Sequence, residues 1–495
     1  MPLLLTVLRQ RLGRGALALA TAGLAGCASL LPADSDPLAV PVEVPSAWSA
    51  LPSGVHARDS AELSAWWDRF EDPLLSAWVG RALAHHTSVR QAVAALQQSR
   101  AQRDVALANQ LPSVRASGSA QRSQVGDGTP GNTFRAGFDA TWEPDVFGVR
   151  RQASAAADAD VQAAAAAVAQ ARVSLAAEVA ANAIELRGLD QRLRLSRDNL
   201  AKQEESLQLT EWRVQAGLAS SLDLEQARAA VEQTRAALPA LETSLQQALN
   251  ALAVLTGQPP GALVQEWRGR ARARADVPRP PTGLTLTFPA ETLRQRPDVQ
   301  AAEQRVLAAW ARTRQADASR YPNLSLGGSL GLNAPRLGDL LDLSSLTRSV
   351  VASVTASLFD GGAARAQVRA QAAALEQARL AHEAAVLNAL QDVENALVAL
   401  QGNRERVARL EAAAEAAGNA ELLARQRYAS GLVDYRTLLD TQRTLLSTQT
   451  ELAAARTSWS NDHVRLYKAL GGGWAAEPAE PPPQSPMTEP SAAQS

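Results

Sequence analysis

Cysteine is almost absent from this chain: Cys27 is the only one in 495 residues. A single cysteine makes no internal disulfide and no metal site. Aromatic residues account for only 4%, while alanine is abundant. Such a composition suits long, closely packed helices and not a thick globular core. Beyond residue 26 no run of 18 consecutive apolar residues occurs, so no transmembrane helix is expected. A mature chain that spans a membrane must do so with strands. Neither sign of charge prevails. The formal net charge is −1; without residues 1–26, which carry three arginines and no acid, it becomes −4. Nucleic-acid binding is excluded on charge grounds. The five histidines (His56, His85, His86, His382 and His463) form no ligand set. There is no Walker A loop and no H-E-x-x-H motif, and no catalytic group is expected.

The first 26 residues read as a targeting segment. Arg9, Arg11 and Arg14 form a basic region, and 15–24 form an apolar stretch too short to cross a bilayer. The segment closes on Leu24-Ala25-Gly26-Cys27, similar to the lipobox of bacterial lipoproteins. By that analogy Cys27 becomes the mature N-terminus and carries acyl chains, which anchor stably when two or more are present. Ala28-Ser29 lacks the Asp that retains enterobacterial lipoproteins at the inner membrane, so an outer-membrane destination is expected.

What is present is a duplication. The run from Val89 to Leu111-Pro112 recurs from Val299 to Tyr321-Pro322, offset by 210 residues. Gly217-Leu218 recurs as Gly431-Leu432, offset by 214. Each copy orders a helix, two alternating strands and a long helical hairpin. The alternation predicts strands at about 113–124, 133–143, 323–333 and 349–359, each with one apolar face. A run of about 10 residues suffices for a tilted strand to cross a bilayer. Alternation alone equally fits a soluble antiparallel sheet. An isolated pair is unstable, however, and four strands cannot close a barrel, so the edges must pair with other chains. Three chains would supply twelve strands, an even number that outer-membrane barrels use. Gly327-Gly328-Ser329-Leu330-Gly331 matches the G-x-S-x-G nucleophile elbow, but its alternation continues through Ser329, so a mid-strand serine without catalytic meaning is expected.

The strand pairs precede heptad runs. Val179, Leu186, Leu193, Leu200, Leu207 and Val214 lead out, and Leu224, Val231, Leu238, Leu245 and Leu252 lead back. Val393, Leu400 and Val407, then Leu438, Leu445, Leu452, Trp459 and Leu466, repeat the pattern. A sustained seven-residue repeat predicts coiled coil. The hairpins are expected at about 150–256 and 361–470. Gly217 and Gly431 end the outgoing helices; Ser220 or Ser221, and Asp434, offer N-caps for the returning ones. Pro239 is expected to kink or break the first return leg. Arg436, Asp440 and Arg443 fall at i, i+4 and i+7, on one helix face distinct from the leucine seam. They could form a charged ring in an assembly or a plain solvated ion pair.

Together these residues resemble the TolC-like outer-membrane factors, in the NodT-like lipoprotein branch of tripartite, RND-type multidrug efflux. The resemblance rests on Trp66-Trp67 with Phe70, Asp72-Pro73 and Leu75; on Leu255-Thr256-Gly257 and Arg296-Pro297-Asp298-Val299; and on Tyr321-Pro322 and Leu358-Phe359-Asp360-Gly361-Gly362. Asp434-Tyr435, Leu438-Leu439-Asp440, Gln442-Arg443 and the stretch from Tyr467 to Trp474 complete it. It implies a mainly α fold with a membrane β-barrel portion. A trimer would form a twelve-stranded barrel and a twelve-helix periplasmic tunnel. The resemblance covers about 61–474, and the chain is expected to divide into a signal peptide (1–26), an acylated extended segment (27–60), a first repeat (61–257), a linker (258–288), a second repeat (289–471) and a disordered tail (472–495), the last from its Pro-, Glu- and Ser-rich composition. It implies a passive exit duct without cofactor beyond the lipid on Cys27. The implied partners are a periplasmic adaptor, an inner-membrane RND-type pump and outer-membrane lipid. The adaptor would meet the tips at Gly217, Ser220, Ser221, Gly431 and Asp434. The periplasmic gate would involve Tyr435, Arg436, Asp440 and Arg443. The family commonly has Leu at the position of Arg436, and the extra cation could lock the gate by pairing with Asp440 or loosen it by repelling Arg443. A type I secretion duct shares the fold. A structural coiled-coil lipoprotein is the reading from another class.

Overall fold

The computed structural model describes residue 38 and residues 43–49, 63–124, 126–270, 276–280 and 289–474. All except residue 38 belong to one folded unit, Val42–Ser495. Cys27, the signal segment, most of 27–60 and the tail beyond Trp474 lie outside the described residues.

A short 3-10 turn, Trp66–Phe70, leads into α1 (Pro73–His85) and α2 (Thr87–Ala108). Asp72 caps α1 by accepting from the amides of Leu74 and Leu75, and His86 caps α2 through its Nδ1. Strands β1 (Ser113–Ser123) and β2 (Gly131–Trp142) follow, then the long α3 (Val149–Gln215) and its return α4 (Ser221–Leu255). Two short helices, α5 (Val264–Arg270) and α6 (Pro289–Gln295), link the halves. The second half repeats the plan with α7 (Pro297–Ala318), β3 (Asn323–Ala334), β4 (Leu346–Thr355), α8 (Ala363–Ala429) and α9 (Tyr435–Ala469).

The strands form one antiparallel sheet in the order β1-β2-β3-β4. Phe138 stands opposite both Ala116 and Leu330 on one face. The other face is polar and cross-linked: Ser117 donates to Asp139 at 2.8 Å, and Ser325–Ser353 and Ser329–Ser349 pair through their hydroxyls at 2.7 Å. Ser329 thus sits mid-strand in a hydrogen-bonded row. The fourth strand begins earlier and ends earlier than the expected 349–359. It runs only as far as its partner does, from Leu332 opposite Leu346 to Asn323 opposite Thr355. Leu358 and Phe359, though they continue the alternation, have no strand beside them and are exposed.

Helices α3 and α8 each have 67 residues, about 100 Å at 1.5 Å per residue. Both start at a glycine in the left-handed region, Gly148 and Gly362, with φ of 87° and 91°. Beside each glycine an aspartate holds the first-turn amides: Asp145 accepts from Arg150 and Arg151, Asp360 from Gly362 and Ala364. The expected break at Pro239 is absent, because α4 runs unbroken from Ser221 to Leu255. Pro239 and Arg235 are both on the solvent side, so the single carbonyl that loses its amide partner can turn to water. One window of α3 is apolar enough in composition to cross a membrane, yet more than half of it is buried within the fold.

The main core lies where the N-terminal turn, the linker and the upper hairpins meet. Trp66 stacks on Tyr467 at 5.2 Å, and Ile184, Leu186, Leu252, Leu397 and Leu466 belong to the same buried cluster. Arg187, itself buried, binds Asp72 at 3.0 Å and lies over the Trp267 ring. The order extends past residue 471, where the disordered tail was expected to begin: the Gly473 amide donates to the Leu63 carbonyl at 2.8 Å.

Candidate functional site

The two hairpin tips have one backbone design. At the first, the amides of Gly217 and Leu218 turn back to the carbonyls of Val214 and Arg213; at the second, those of Gly431 and Leu432 turn back to Tyr428 and Arg427. This closure requires a left-handed residue, and Gly217 and Gly431 supply it with φ of 71° and 75°. The caps differ. Ser220 and Asp223 form a reciprocal capping box ahead of Ser221. Asp434 accepts from the Thr437 amide at 2.9 Å and from its hydroxyl at 2.6 Å. Those bonds hold the Asp434 carboxyl below its usual range. Leu218, Leu222 and Leu432 crown the tips and are exposed.

Above the tips the two hairpins are tied together. The Thr210 and Tyr428 hydroxyls lie 2.8 Å apart, and Arg213 covers the Tyr428 ring while donating to the Ala429 carbonyl. Tyr428 meets Tyr435 edge to face at 5.8 Å, inside a small apolar cluster with Ala227, Ala230, Leu438 and Leu439. The four residues implied as the gate therefore divide. Tyr435 is buried in this cluster, and burial pushes its phenol up to about 12. Arg436, Asp440 and Arg443 are exposed on a flank of α9 beside that buried face, and the same flank continues through Ser447 and Glu451. Among the described residues no ion pair joins Asp440 to either arginine, so the plain solvated pair between Arg436 and Asp440 is not formed in the single chain.

Heptad reading misses a change of chemistry along α3. Near the main core its buried side chains are apolar, Val179, Ile184, Leu186 and Leu193 among them, apart from the paired Arg187. Toward the tip they are Ser196, Asn199, Gln203, Ser206 and Thr210, while Leu200, Leu207 and Val214 are only half-buried. Gln442 of α9 donates across this seam to Ser206 at 3.1 Å. The signal was in the sequence as small polar residues at alternating spacings of three and four, one helical step from the leucines.

Surface charge separates the hairpins further. Three ion pairs lace α3 to α4 at seven-residue steps: Glu211–Arg228 at 3.4 Å, Glu204–Arg235 at 2.7 Å and Arg197–Glu242 at 2.6 Å. In the second hairpin only the rung nearest the core recurs, with its charges exchanged, as Glu411–Arg456 at 2.7 Å. The lower two rungs are replaced by Arg425 with Gln442 and by Gly418 with Gln449.

A sheet with two bare edges, mounted on paired hairpins of about 100 Å, is the architecture of an outer-membrane channel protomer. The comparisons agree. The family model "Outer membrane efflux protein" matches residues 78–258 and 288–472, and the chain belongs to that family. It is 32% identical over 453 residues to the pyoverdine export outer membrane protein OpmQ of Pseudomonas aeruginosa, covering 89% of this chain and 94% of that one. It is 28% identical to the probable outer membrane lipoprotein SilC of Salmonella typhimurium, covering 91% and 96%. Among solved structures, the outer-membrane channel OprN superposes with a TM-score of 0.83 at 33% identity, covering 90% of this chain and 99% of that one. Members of this family are channel proteins.

Proposed function

We propose that this protein is the outer-membrane exit duct of a tripartite efflux system, passively conducting small molecules delivered from the periplasmic side. The observation that carries the reading is the pairing of an open four-stranded sheet with two long hairpins in one duplicated chain. Three copies would close twelve strands into a barrel and set six hairpins into a tunnel. Cys27 would carry the acyl anchor, as the lipobox analogy implies and as the likeness to a probable outer membrane lipoprotein supports. The duct itself requires no cofactor. Energy comes from an inner-membrane RND-type pump, reached through a periplasmic adaptor that meets the tips around Gly217, Ser220, Ser221, Gly431 and Asp434.

The gate lies on the second hairpin. Arg436, Asp440 and Arg443 present charge on an exposed face. In a trimer three such faces turned to the axis would ring the entrance. Tyr435 serves the gate from inside, packing α9 against Tyr428. The hairpin that lacks the lower ion-pair rungs, and meets the first across a seam that is polar above the Tyr428–Tyr435 cluster, is the one suited to move.

A strain lacking the gene tests the reading. It should become more sensitive to some members of a panel of drugs, dyes and metal ions and accumulate them, with recovery on complementation. A strain unchanged across the panel, with its paralogues also deleted, would count against efflux.

A further inference from the structure

The flank of α9 that carries Arg436, Asp440 and Arg443 does not end at Glu451. Steps of three and four residues carry it on through Ser458 and Asn461 to Arg465 and Lys468, with no buried residue along the way. At 1.5 Å per residue, Lys468 stands roughly 40 Å from Asp440 along the helix. The side of α9 turned to the linker and the N-terminal turn is a different one. There Ser460 donates to the Pro278 carbonyl at 2.7 Å, and Tyr467 stacks on Trp66.

Arg465 and Lys468 open onto a cavity of about 450 Å³ where the end of α9 meets the start of α7, between α3 and α8. Arg296, Asp392, Asn395 and Gln170 complete its polar wall, and no residue of the N-terminal turn or of 276–280 lines it. The wall thus holds three cations and one carboxylate. That carboxylate is engaged: Asp392 accepts from Arg296 at 3.1 Å, while Asp298 and the Ala469 carbonyl take other donors of the same guanidinium. Arg465 holds the buried Asp462 through one nitrogen at 3.1 Å, and its side chain is otherwise 71% exposed. Lys468 has no ion pair among the described residues. The cavity therefore offers an ammonium and an open guanidinium, with the amide N–H groups of Asn395 and Gln170 beside them.

The first half of the chain does not repeat this set. Offsets of 214 and 210 place Ala251, Val254 and His86 where the second half has Arg465, Lys468 and Arg296. Asp392 and Asn395 correspond to Glu178 and Ala181. A lysine in the last turn of a helix is favoured by the helix dipole, yet α4 ends in the same way as α9 with Val254 at that place. The helix end therefore does not require the cation at 468.

We infer that this cavity binds anionic small molecules, holding a carboxylate or phosphate group between Lys468 and Arg465. Charge-assisted hydrogen bonds of this kind are about twice as strong as neutral ones, and rings of Arg and Lys favour anions in pores. The inference rests on the duct reading above, in which the Asp440 flank of α9 faces the axis. In a trimer it sets three such sites at one level of the wall, beyond the Asp440 ring. The sign of the charge reverses along the duct, so an anion past the entrance meets a site that holds it while a neutral molecule does not.

Citrate and glucose, similar in size but only one of them charged, test it on the detergent-solubilised protein. Calorimetric titration should show binding of citrate and none of glucose. Lys468→Gln removes one charge-assisted contact and should weaken citrate about tenfold, and Lys468→Arg should restore most of the affinity. Asn395→Asp, at an exposed position, places a second carboxylate on the wall and should weaken citrate as well. In planar bilayers citrate should reduce the potassium chloride current, at higher concentrations in Lys468→Gln than in the wild type. Citrate that binds the wild type, Lys468→Gln and Asn395→Asp equally would lie elsewhere, as at Arg436 or Arg443, and would overturn this site. A protein that conducts but binds no citrate would overturn the site and leave the duct standing. Citrate binding that depends on Lys468 in a protein that never conducts would keep the site and overturn the duct.

Discussion

Asp440 stands on the exposed face of α9 with Arg436 one turn before it and Arg443 one turn after. Three such carboxylates near a common axis would hold back anions and attract cations. Asp440→Ala should therefore weaken cation preference and change single-channel conductance in planar bilayers; identical conductance and selectivity would remove Asp440 from the gate. Tyr435 plays a different part. Its hydroxyl is buried and has no hydrogen-bond partner among the described residues. Below pH 10 the phenol is neutral in both folded and unfolded chains and adds no pH dependence. From 10 to about 12 the unfolded chain ionises first, so stability falls as pH rises. Tyr435→Phe removes an unpaired polar atom. It should leave the thermal midpoint at pH 7 equal or higher and shrink the alkaline loss. A clear drop in midpoint at pH 7 would show that the hydroxyl has a partner in the assembled protein. None of this could be read from α9 alone, because Thr210 and Tyr428, which define the surroundings of Tyr435, come from two other helices.

At the scale of elements, periodicity carried far. A period of two located the four strands, and glycines followed by Ser or Asp located the tips. What it left open depended on partners. The end of β4 is set by where β3 begins, and the neighbours of a heptad position are not encoded in its spacing. On α3 the seven-residue leucines describe the seam only near the core; toward its tip the buried row is the polar one that includes Gln203 and Ser206, while Leu438 and Leu445 of α9 keep the heptad buried. The ion-pair ladder belongs to this scale as well. A single exposed pair is weak, but three at heptad steps act on one hairpin, and the other keeps one. Grafting a missing rung as Gly418→Glu with Gln449→Arg should stiffen the second hairpin. Bilayer recordings should then show fewer openings, reversed by restoring either wild-type residue. Unchanged gating would argue that the second hairpin does not move independently of the first.

The whole molecule is governed by its duplication. Two copies of one plan give a single chain four strands and two hairpins, with β1 and β4 left as unpaired edges whose residues are all exposed. Long bare edges are an unstable way to end a sheet, and in a bilayer an open sheet is not tolerated. The same incompleteness recurs along α8, where Leu380, Leu387 and Val398 lie open. The measurement that bears most directly on this account is the native mass of the detergent-solubilised protein. The account predicts three chains and no stable smaller species at low concentration. A monomer or a dimer that conducts ions in a bilayer would contradict it, because neither can close the sheet with the strands this chain provides.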